Sequence, residues 1–290
     1  MLLLSMDEAR TGWSIAGFYK KLLWFPVAFI AVFFVCPIVV VVGRSFVDPV
    51  LGLGNYAEIL FSSTYLRVLG NTLGTALLVT LLCLLVAYPL AYVMTKAHGS
   101  VLAVMTSLVV VSLWTSVVIR SYAWMVIFQR RGVLNGLLTS TGLSDGPINF
   151  LPGALAVNVG MVHIMLPFMV LPLLSSMKSI DRSLVVAAGV MGANPWLSFR
   201  KVFLPLSLPG VSAGSALVFM MSLGFFVTPA LLGGPRHLMA AVLIEQQANR
   251  MLNWGLASAI ATVLLVVTVL LYLVYLRVLR FAEGGVGHAR

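Results

Sequence analysis

The chain has 290 residues, of which 61% are hydrophobic and only 9% are charged. Soluble domains carry about 25% charged residues, so a soluble globular protein of this length is excluded. The formal net charge of +10 does not indicate a nucleic-acid-binding protein, because the basic residues are scattered among apolar segments and form no stripe. We therefore expect a multi-pass membrane protein whose main surroundings are a lipid bilayer.

Six stretches free of Lys, Arg, Asp and Glu are each long enough to cross the bilayer once, which takes about 20 residues. They are residues 22–43, 68–95, 97–119, 146–177, 202–235 and 251–276, and the third continues past Arg120 to about Phe128. Polar and apolar residues do not alternate in these stretches, which favours helices over strands. We predict an all-α membrane protein with six transmembrane helices.

The chain is therefore expected to have three parts. Residues 1–21 form a polar N-terminal segment, residues 22–280 the transmembrane domain, and residues 281–290 a C-terminal tail. The apolar stretch after residue 21 is too long for the core of a cleavable signal peptide, so we expect the first crossing to stay attached.

The basic residues predict the orientation. With the N-terminus in the cytoplasm, the inner segments carry Arg10, Lys20, Lys21, Lys96, Lys178, Arg182, Arg200, Lys201, Arg277, Arg280 and Arg290, and the outer segments carry Arg44, Arg67, Arg130, Arg131, Arg236 and Arg250. The excess of 11 over 6 favours this orientation. Both termini are expected in the cytoplasm.

Prolines interrupt most of the predicted helices: Pro26 and Pro37 the first, Pro89 the second, Pro167 and Pro172 the fourth, and Pro229 the fifth. Kinked helices suit a protein that moves around an internal cavity, although such prolines are also ordinary in membrane helices. Cys36 and Cys83 lie in apolar stretches with no ligand spacing nearby, so no metal site is expected.

Residues 179–205, SIDRSLVVAAGVMGANPWLSFRKVFLP, connect the fourth and fifth crossings. Asp181 is a candidate N-cap, and a short helix is predicted over residues 183–191. Gly192 supplies a stop and Pro195 prevents simple continuation. A short helix with small residues on its surface can lie in a groove of a partner protein.

This connection resembles the signature loop of permease subunits of binding-protein-dependent ABC importers, E-A-A-x-x-x-G, nine residues, I-x-L-P. The matching residues are Ala187, Ala188, Gly192, Leu204 and Pro205, with Val202 in the isoleucine place and Val186 in the glutamate place. NYAEILFSSTYLRVLGNTL (55–73) resembles the family's entry into the second crossing. LPFMVLPLLSSMKSID (166–181) and FVTPALLGGPRHLMAAVLIEQQ (226–247) resemble its spermidine/putrescine branch.

The resemblance implies the type I importer permease fold, in the inner membrane of a bacterium. The connection would be a cytoplasmic coupling helix that docks on an ATPase subunit, with Asp181, Ser183, Val186, Ala187, Ala188, Gly189, Gly192, Ala193 and Pro205 as the coupling residues. Expected partners are two ATPase subunits, a second homologous permease and a periplasmic solute-binding protein. The chain has no G-x-x-x-x-G-K-[ST] phosphate loop, so ATP and Mg²⁺ are expected in the ATPase partners and no cofactor in this chain. The solute would be a polyamine or a related amine or opine-like compound.

Two other functions, secondary transport and intramembrane hydrolysis, are alternatives for such a chain. An ion-coupled secondary transporter would carry ionisable residues in mid-membrane, and here only Arg120 qualifies. Residues 210–214 match G-x-S-x-G, the nucleophile pattern of serine hydrolases, so Ser212 with His163 or His237 would be needed for an intramembrane hydrolase. The small residues of this segment equally suit helix packing, and no catalytic residue is predicted.

The candidates for the solute path are Arg120, Tyr122, Trp124, Asn158, Thr228 and Glu245. An Arg in a crossing faces the protein interior or reaches outward to the interface, and both readings stay open for Arg120. Glu245 is expected to pair with Arg120, meet a cationic solute or face water. Asn158 and Thr228, like Asn71 and His163, need polar partners, for which hydrogen bonds between helices are the default.

Overall fold

The computed structural model describes the backbone of residues 15–286 and the side chains of residues 22–277. Residues 1–14 and 287–290 lie outside the described residues, and with them most of the predicted N-terminal segment and part of the predicted tail. Within the described range the chain forms helices and no strand. The all-α prediction is confirmed.

The helices are α1 (Ile15–Ile30), α2 (Cys36–Val47), α3 (Gly54–Phe61), α4 (Ser63–Lys96), α5 (Gly99–Trp114), α6 (Val117–Phe128), α7 (Val133–Ser140), α8 (Ala154–Lys178), α9 (Arg182–Val190), α10 (Pro195–Ser198), α11 (Leu204–Leu223), α12 (Val227–Leu232), α13 (Ala240–Glu245) and α14 (Trp254–Val286). A π-helical turn joins α1 to α2 (Ala31–Val35) and another joins α10 to α11 (Phe199–Phe203). Because these turns do not break the helix, α1–α2 and α10–α11 each form one continuous rod.

Five helical stretches are long and apolar enough to cross a membrane: Leu22–Val47, Ser63–Lys96, Ala154–Lys178, Pro195–Leu223 and Trp254–Arg277. A sixth crossing is available as a bent pair, Gly99–Trp114 with Val117–Ser140, whose axes differ by 97°. The predicted number of six therefore includes one broken crossing. The break lies at Thr115 and Ser116, whose extended ψ angles of 134° and 133° leave helical geometry.

The fifth crossing is shorter than the apolar stretch that predicted it. Helix α11 ends at Leu223, and Gly224 has left helical geometry at φ −94° and ψ 7°. Pro229 was expected to interrupt this crossing, but it lies in the separate short helix α12. Helix α11 contains Pro209 instead.

Helix α8 is the centre of the bundle. It presents a row of fully buried residues at four-residue spacing, Met161, Met165, Met169 and Leu173, which places them on one face of the helix. Helices α4, α11, α6, α5 and α12 pack around it. The unbranched methionine side chains suit this position because they fill irregular gaps between kinked helices.

Two glycines bring α11 against α8. A Cβ atom on Gly210 would lie 2.5 Å from the Cβ of Ser176, and one on Gly214 would lie 2.8 Å from the Sδ of Met169. Small residues at four-residue spacing let two membrane helices approach closely. The glycines of the G-x-S-x-G pattern therefore serve helix packing.

A second, smaller apolar cluster lies at the other end of α4, around Ile59, Val68, Leu256 and Ile260. It joins α3 and the beginning of α4 to α13 and α14. Asn71 ties the same region together, because its Nδ2 donates to the carbonyl of Arg236 at 3.0 Å. A hydrogen bond between helices was the default expectation for Asn71, and the structure instead shows a bond from α4 to the connection between α12 and α13.

Candidate functional site

The connection between α8 and α11 begins with a capped helix. The Asp181 carboxylate accepts a hydrogen bond of 2.8 Å from the backbone N–H of Ser183, as the N-cap prediction requires. Helix α9 follows from Arg182 to Val190, within one residue of the predicted bounds. The backbone N–H of Ser183 also lowers the pKa of the Asp181 carboxyl, because the hydrogen bond favours the charged form.

Helix α9 ends where Gly192 was expected to stop it. Gly192 has φ +88°, a left-handed conformation that residues with a side chain rarely adopt. The N–H of Ala193 reaches back to the carbonyl of Ala188 at 3.0 Å, the hydrogen bond that closes a Schellman C-cap. A Cβ on Gly192 would meet nothing within 4 Å, so the backbone conformation rather than space requires glycine here.

The next helix starts at a second cap, which was not predicted. Asn194 accepts a hydrogen bond of 2.8 Å from the N–H of Leu197, and Pro195 occupies the first turn. Asn followed by Pro is a recognisable helix start, so the signal was present. Only residues 191–194, called the joint below, separate α9 from the continuous rod of α10 and α11.

Aromatic contacts fix the base of that rod to α4. The Tyr92 ring lies 5.5 Å from Phe199 and 5.0 Å from Phe203, both edge to face. The hydroxyls of Tyr88 and Ser207 lie 2.9 Å apart. Arg182 at the start of α9 donates to the carbonyl of Thr95, the residue before the end of α4. Helices α4, α9 and α11 therefore meet at one end of the molecule.

Large apolar side chains of the connection remain uncovered. Val186 is 66% exposed, Val190 85%, Met191 88% and Trp196 67%. Val186, Val190 and Met191 lie outside the crossings, where clustered apolar exposure marks an interaction surface. The coupling candidates Ser183, Ala187 and Gly189 are also exposed, whereas Ala188 and Ala193 are half-buried. Pro205 lies at the start of α11.

A group of buried polar side chains lies where α6, α8 and α12 meet. Arg120 is only 7% exposed, so the reading in which it reaches outward to the membrane interface is wrong. Its Nη1 lies 3.4 Å from the Oγ of Ser112, and its Nε has no partner. The break before α6 lets the Arg120 side chain reach Ser112 of α5, so of the two open readings the one that faces the protein interior holds.

Trp124 and His163 connect α6 to α8. The indole Nε1 of Trp124 donates to Nδ1 of His163 at 3.1 Å, and its ring stacks on Phe128 at 5.3 Å. His163 and Ser112 both line one pocket of about 310 Å³ between α5 and α8. Trp124 and Arg120 therefore each contact one residue that lines this pocket, His163 and Ser112 respectively.

Thr228 and Asn158 differ in how they are satisfied. The hydroxyl of Thr228 lies 2.8 Å from that of Ser121, and both residues are fully buried. Asn158 has a buried Oδ1 without a partner, as has the hydroxyl of Ser222. The default of a hydrogen bond between helices is met by Thr228 and not by Asn158 Oδ1. Ser112, Ser121 and Ser222 were missed, although polar residues in apolar stretches were a usable signal.

Two candidates lie apart from this group. Glu245 ends α13, and its Oε2 lies 3.8 Å from Nε of Arg250. The expected pair with Arg120 is therefore wrong, because α13 packs on α14 and α4 rather than on α6. Tyr122 is 52% exposed, whereas the preceding residue, Ser121, is fully buried.

Ser212 does not have the surroundings of a hydrolase nucleophile. It lies inside α11, and its hydroxyl donates to the carbonyl of Pro209 at 2.8 Å. A nucleophile elbow is a sharp turn between a strand and a helix. His163 is bonded to Trp124 instead.

Comparison with known proteins identifies the chain. Residues 8–285 match the family described as "Binding-protein-dependent transport system inner membrane component". The chain belongs to this family. It is a permease subunit of a binding-protein-dependent ABC importer and an integral protein of the inner membrane. The secondary-transporter reading is therefore rejected.

Curated relatives of this permease include two proteins named spermidine/putrescine transport system permease protein PotB. The one from Haemophilus influenzae is 37% identical over 235 residues, covering 81% of this chain and 82% of the relative. The one from Escherichia coli K12 is 36% identical over 242 residues, covering 83% and 88%. The resemblance to the spermidine/putrescine branch is confirmed.

Solved structures confirm the fold of the permease. A chain of a bacterial alginate ABC transporter, in complex with an alginate-bound periplasmic protein, superposes with a TM-score of 0.78 at 18% identity. The match covers 89% of this chain and 92% of that one. A second alginate importer structure gives a TM-score of 0.72 at 18% identity, over 91% and 95%. The type I importer permease fold predicted for the chain is thus shown.

Proposed function

We propose that this permease moves a polyamine, such as spermidine or putrescine, from the periplasm to the cytoplasm. The identity of 35–37% to spermidine/putrescine permeases over more than four fifths of the chain carries this proposal. A periplasmic binding protein delivers the solute, and a second homologous permease forms the other wall of the path. Two ATPase subunits supply energy, with ATP and Mg²⁺ bound there. Both termini face the cytoplasm.

The coupling surface is assigned to the connection between α8 and α11. The exposed apolar residues of this connection supply an area for contact with the ATPase. Val186 supplies an apolar contact at the place where the signature loop has glutamate. The joint of residues 191–194 is short, and the rod of α10 and α11 is continuous. Motion of a docked ATPase would pass through α9 to the fifth crossing as rigid-body motion.

The group around Arg120 is assigned to the solute path, with Trp124, Asn158 and Thr228. Unpaired buried atoms on Arg120 and Asn158 are free to bond water or a solute once the path opens. A buried cation does not attract a polyamine, and the acidic residues described in this chain lie outside the crossings. Carboxylates for a dication would come from the second permease or the binding protein. Tyr122 and Glu245 are placed at the edge of the path.

Arg120 also supports a second candidate solute. A cation that is 7% exposed and has an unpaired Nε is suited to a solute carboxylate. An amino-acid-like solute, such as an opine, would use this contact, whereas a polyamine would not.

Uptake of radiolabelled spermidine and putrescine tests the choice. Cells that lack other polyamine importers would express this permease with its cognate subunits, and unlabelled opines would serve as competitors. We expect labelled polyamine uptake that opines do not inhibit and that Arg120→Gln preserves. Uptake of an opine that Arg120→Gln abolishes would replace the polyamine proposal with the second candidate.

The coupling assignment is tested with Gly192→Asp. We expect the variant to insert and assemble but to hydrolyse ATP without uptake, because the left-handed backbone at φ +88° strains any side chain and displaces the end of α9. Gly54→Asp is the matched control, since Gly54 is exposed at the start of α3, outside the connection, its Cβ would meet nothing within 4 Å and its φ is ordinary. Normal uptake by Gly192→Asp would contradict the assignment.

Val186→Glu is the complementary variant. Val186 is 66% exposed, so a carboxylate there stays solvated and restores the residue expected from the resemblance. We expect assembly and uptake to be retained. Complete loss of assembly would show that the signature loop is misaligned and that Val186 does not occupy the glutamate place.

A further inference from the structure

An open cavity of about 470 Å³ lies where α4, α5, α8 and α9 meet. Its basic lining residues are Lys96, His98, Lys178 and Arg182, and the rest of its lining is mainly apolar, including Leu102, Met177, Val185 and Phe203. Lys96 and Lys178 are the last residues of two crossings, and Gly99 begins the next helix. The cavity therefore lies at the membrane edge, at the depth of lipid headgroups.

Two of the cations of this cavity contact neutral groups. The Lys96 ammonium lies 4.3 Å from the centre of the Tyr92 ring, and Arg182 donates to the carbonyl of Thr95. Among the described residues, no acidic side chain lines the cavity, and Asp181 bonds the N–H of Ser183 at the start of α9. The positive charge of this cavity thus has no acidic counter-ion among the residues whose side chains the structure describes.

An apolar groove continues from the cavity along α5. Lys178 and Leu102 line both spaces, and the groove runs on past Ala103, Ser107 and Val110 to Trp114. These positions recur every three or four residues and so share one face of the helix. From Leu102 to Trp114 the groove is about 18 Å long at 1.5 Å per residue, close to the roughly 15 Å of one leaflet's hydrocarbon.

We propose that this cavity and groove bind an anionic glycerophospholipid. The phosphodiester would lie among Lys96, Lys178 and Arg182, and one acyl chain would lie along α5 as far as Trp114. Basic pockets between transmembrane helices suit anionic lipid headgroups. The acyl chain would also fill a helix face that is lined by small residues. The lipid would touch Val185 and Val186 of α9, and the proposal does not depend on which solute is carried.

The test is lipid binding to the native complex that contains this chain. The complex is delipidated in detergent and titrated with phosphatidylglycerol or phosphatidylcholine, and bound lipid is counted by native mass spectrometry. We expect phosphatidylglycerol to be retained in preference to phosphatidylcholine. Lys96→Gln with Lys178→Gln should weaken phosphatidylglycerol binding about five-fold per charge removed.

The matched control for the headgroup is Arg200→Gln with Lys201→Gln. These two residues are basic and exposed in the same connection but do not line the cavity, so we expect binding within about two-fold of the wild type, since exposed cations away from a site contribute little. Equal losses in the two double variants would overturn the proposal, because they would indicate general surface charge.

A second pair of variants tests the acyl chain. Ala103→Phe fills the groove, whereas Val104→Phe lies on α5 outside the groove. Only Ala103→Phe should weaken phosphatidylglycerol binding. Complete displacement of the lipid by inorganic phosphate would indicate a site for a soluble anion and would overturn the lipid assignment. Equal binding of both lipids, or a protein segment occupying the groove, would overturn it as well.

Discussion

At the scale of single residues, some buried polar atoms around α6, α8 and α12 have a hydrogen-bond partner and others have none. Ser121 and Thr228 bond each other at 2.8 Å, whereas Arg120 Nε and Asn158 Oδ1 have no partner. An unsatisfied buried polar group costs about 1–3 kcal/mol. Such groups are unusual in a packed interior, and this is why the unpaired ones were assigned to the path.

Thr228→Val should destabilise the permease by about 1–3 kcal/mol, because the buried Ser121 hydroxyl loses its partner. Valine keeps the shape of threonine and the methyl packing near Gly160. Thermal unfolding of the purified complex measures the effect. The double variant Ser121→Ala with Thr228→Val should be less destabilised than the sum of the single variants; strict additivity would show that the two hydroxyls do not interact.

The Asp181 cap should be sensitive to acid. The pKa of its carboxyl is lowered in the folded protein, so its contribution to α9 is complete above the ordinary carboxyl pKa and is lost as pH falls through the lowered value. Hydrogen-exchange protection of residues 182–190, corrected for intrinsic rates, should fall over that acidic range. Asp181→Asn keeps an uncharged cap and should lack this acid-dependent loss, and Asp181→Ala should lower protection at neutral pH. A pH profile shared by the wild type and Asp181→Asn would contradict the assignment.

At the scale of elements, the bounds of α9 were predicted because its start and stop signals are local. Helix α9 follows an Asp cap and ends at a glycine, and both signals are read from neighbouring residues. The break at Thr115 and the end of α11 at Leu223 were missed. Lipid-facing residues are mostly apolar, so the composition changes little at either bend. The packing of α6 and α12 against α8 is not visible in that composition.

Gly210→Ala should destabilise the packing of α11 on α8 by about 1–3 kcal/mol. The new Cβ would lie 2.5 Å from the Cβ of Ser176, an atom fixed to the backbone that cannot move aside. Gly74→Ala is the matched control, because Gly74 lies within α4 with nothing within 4 Å of an added Cβ. Thermal unfolding of both variants measures the difference. A loss as large in Gly74→Ala would assign the effect to helix glycines in general.

At the scale of the whole molecule, the sequence supported the class, the number of crossings and the family, because all three depend on long apolar stretches and spaced motifs. The surroundings of the candidate site residues were less predictable. Burial of Arg120 and the pairing of Glu245 with Arg250 depend on how distant helices pack. The basic cavity was not predicted either, because its cations come from separate segments of the chain and form no pattern in the sequence.

The side of the membrane on which each connection lies is a prediction about the whole molecule. In a variant without Cys36 and Cys83, Asn149→Cys should react with a membrane-impermeant maleimide in intact cells, and Ser179→Cys should react only after the membrane is opened. Both positions are exposed and lie between crossings, so accessibility reports the side of the membrane. Labelling of Ser179→Cys in intact cells would place the connection in the periplasm and contradict the coupling assignment.

The most apolar part of the first crossing, Leu22–Val47, has no residue buried inside the molecule. It is fixed near its end, where the hydroxyls of Ser45 and Tyr56 lie 2.6 Å apart and where Asp48 approaches Gly255 so closely that a Cβ there would lie 1.9 Å from its carbonyl oxygen. Replacements of one aliphatic residue by another should therefore accumulate freely along the first part of this helix. At Gly255 hardly any replacement would survive selection, so neighbouring stretches of this permease should diverge at very different rates.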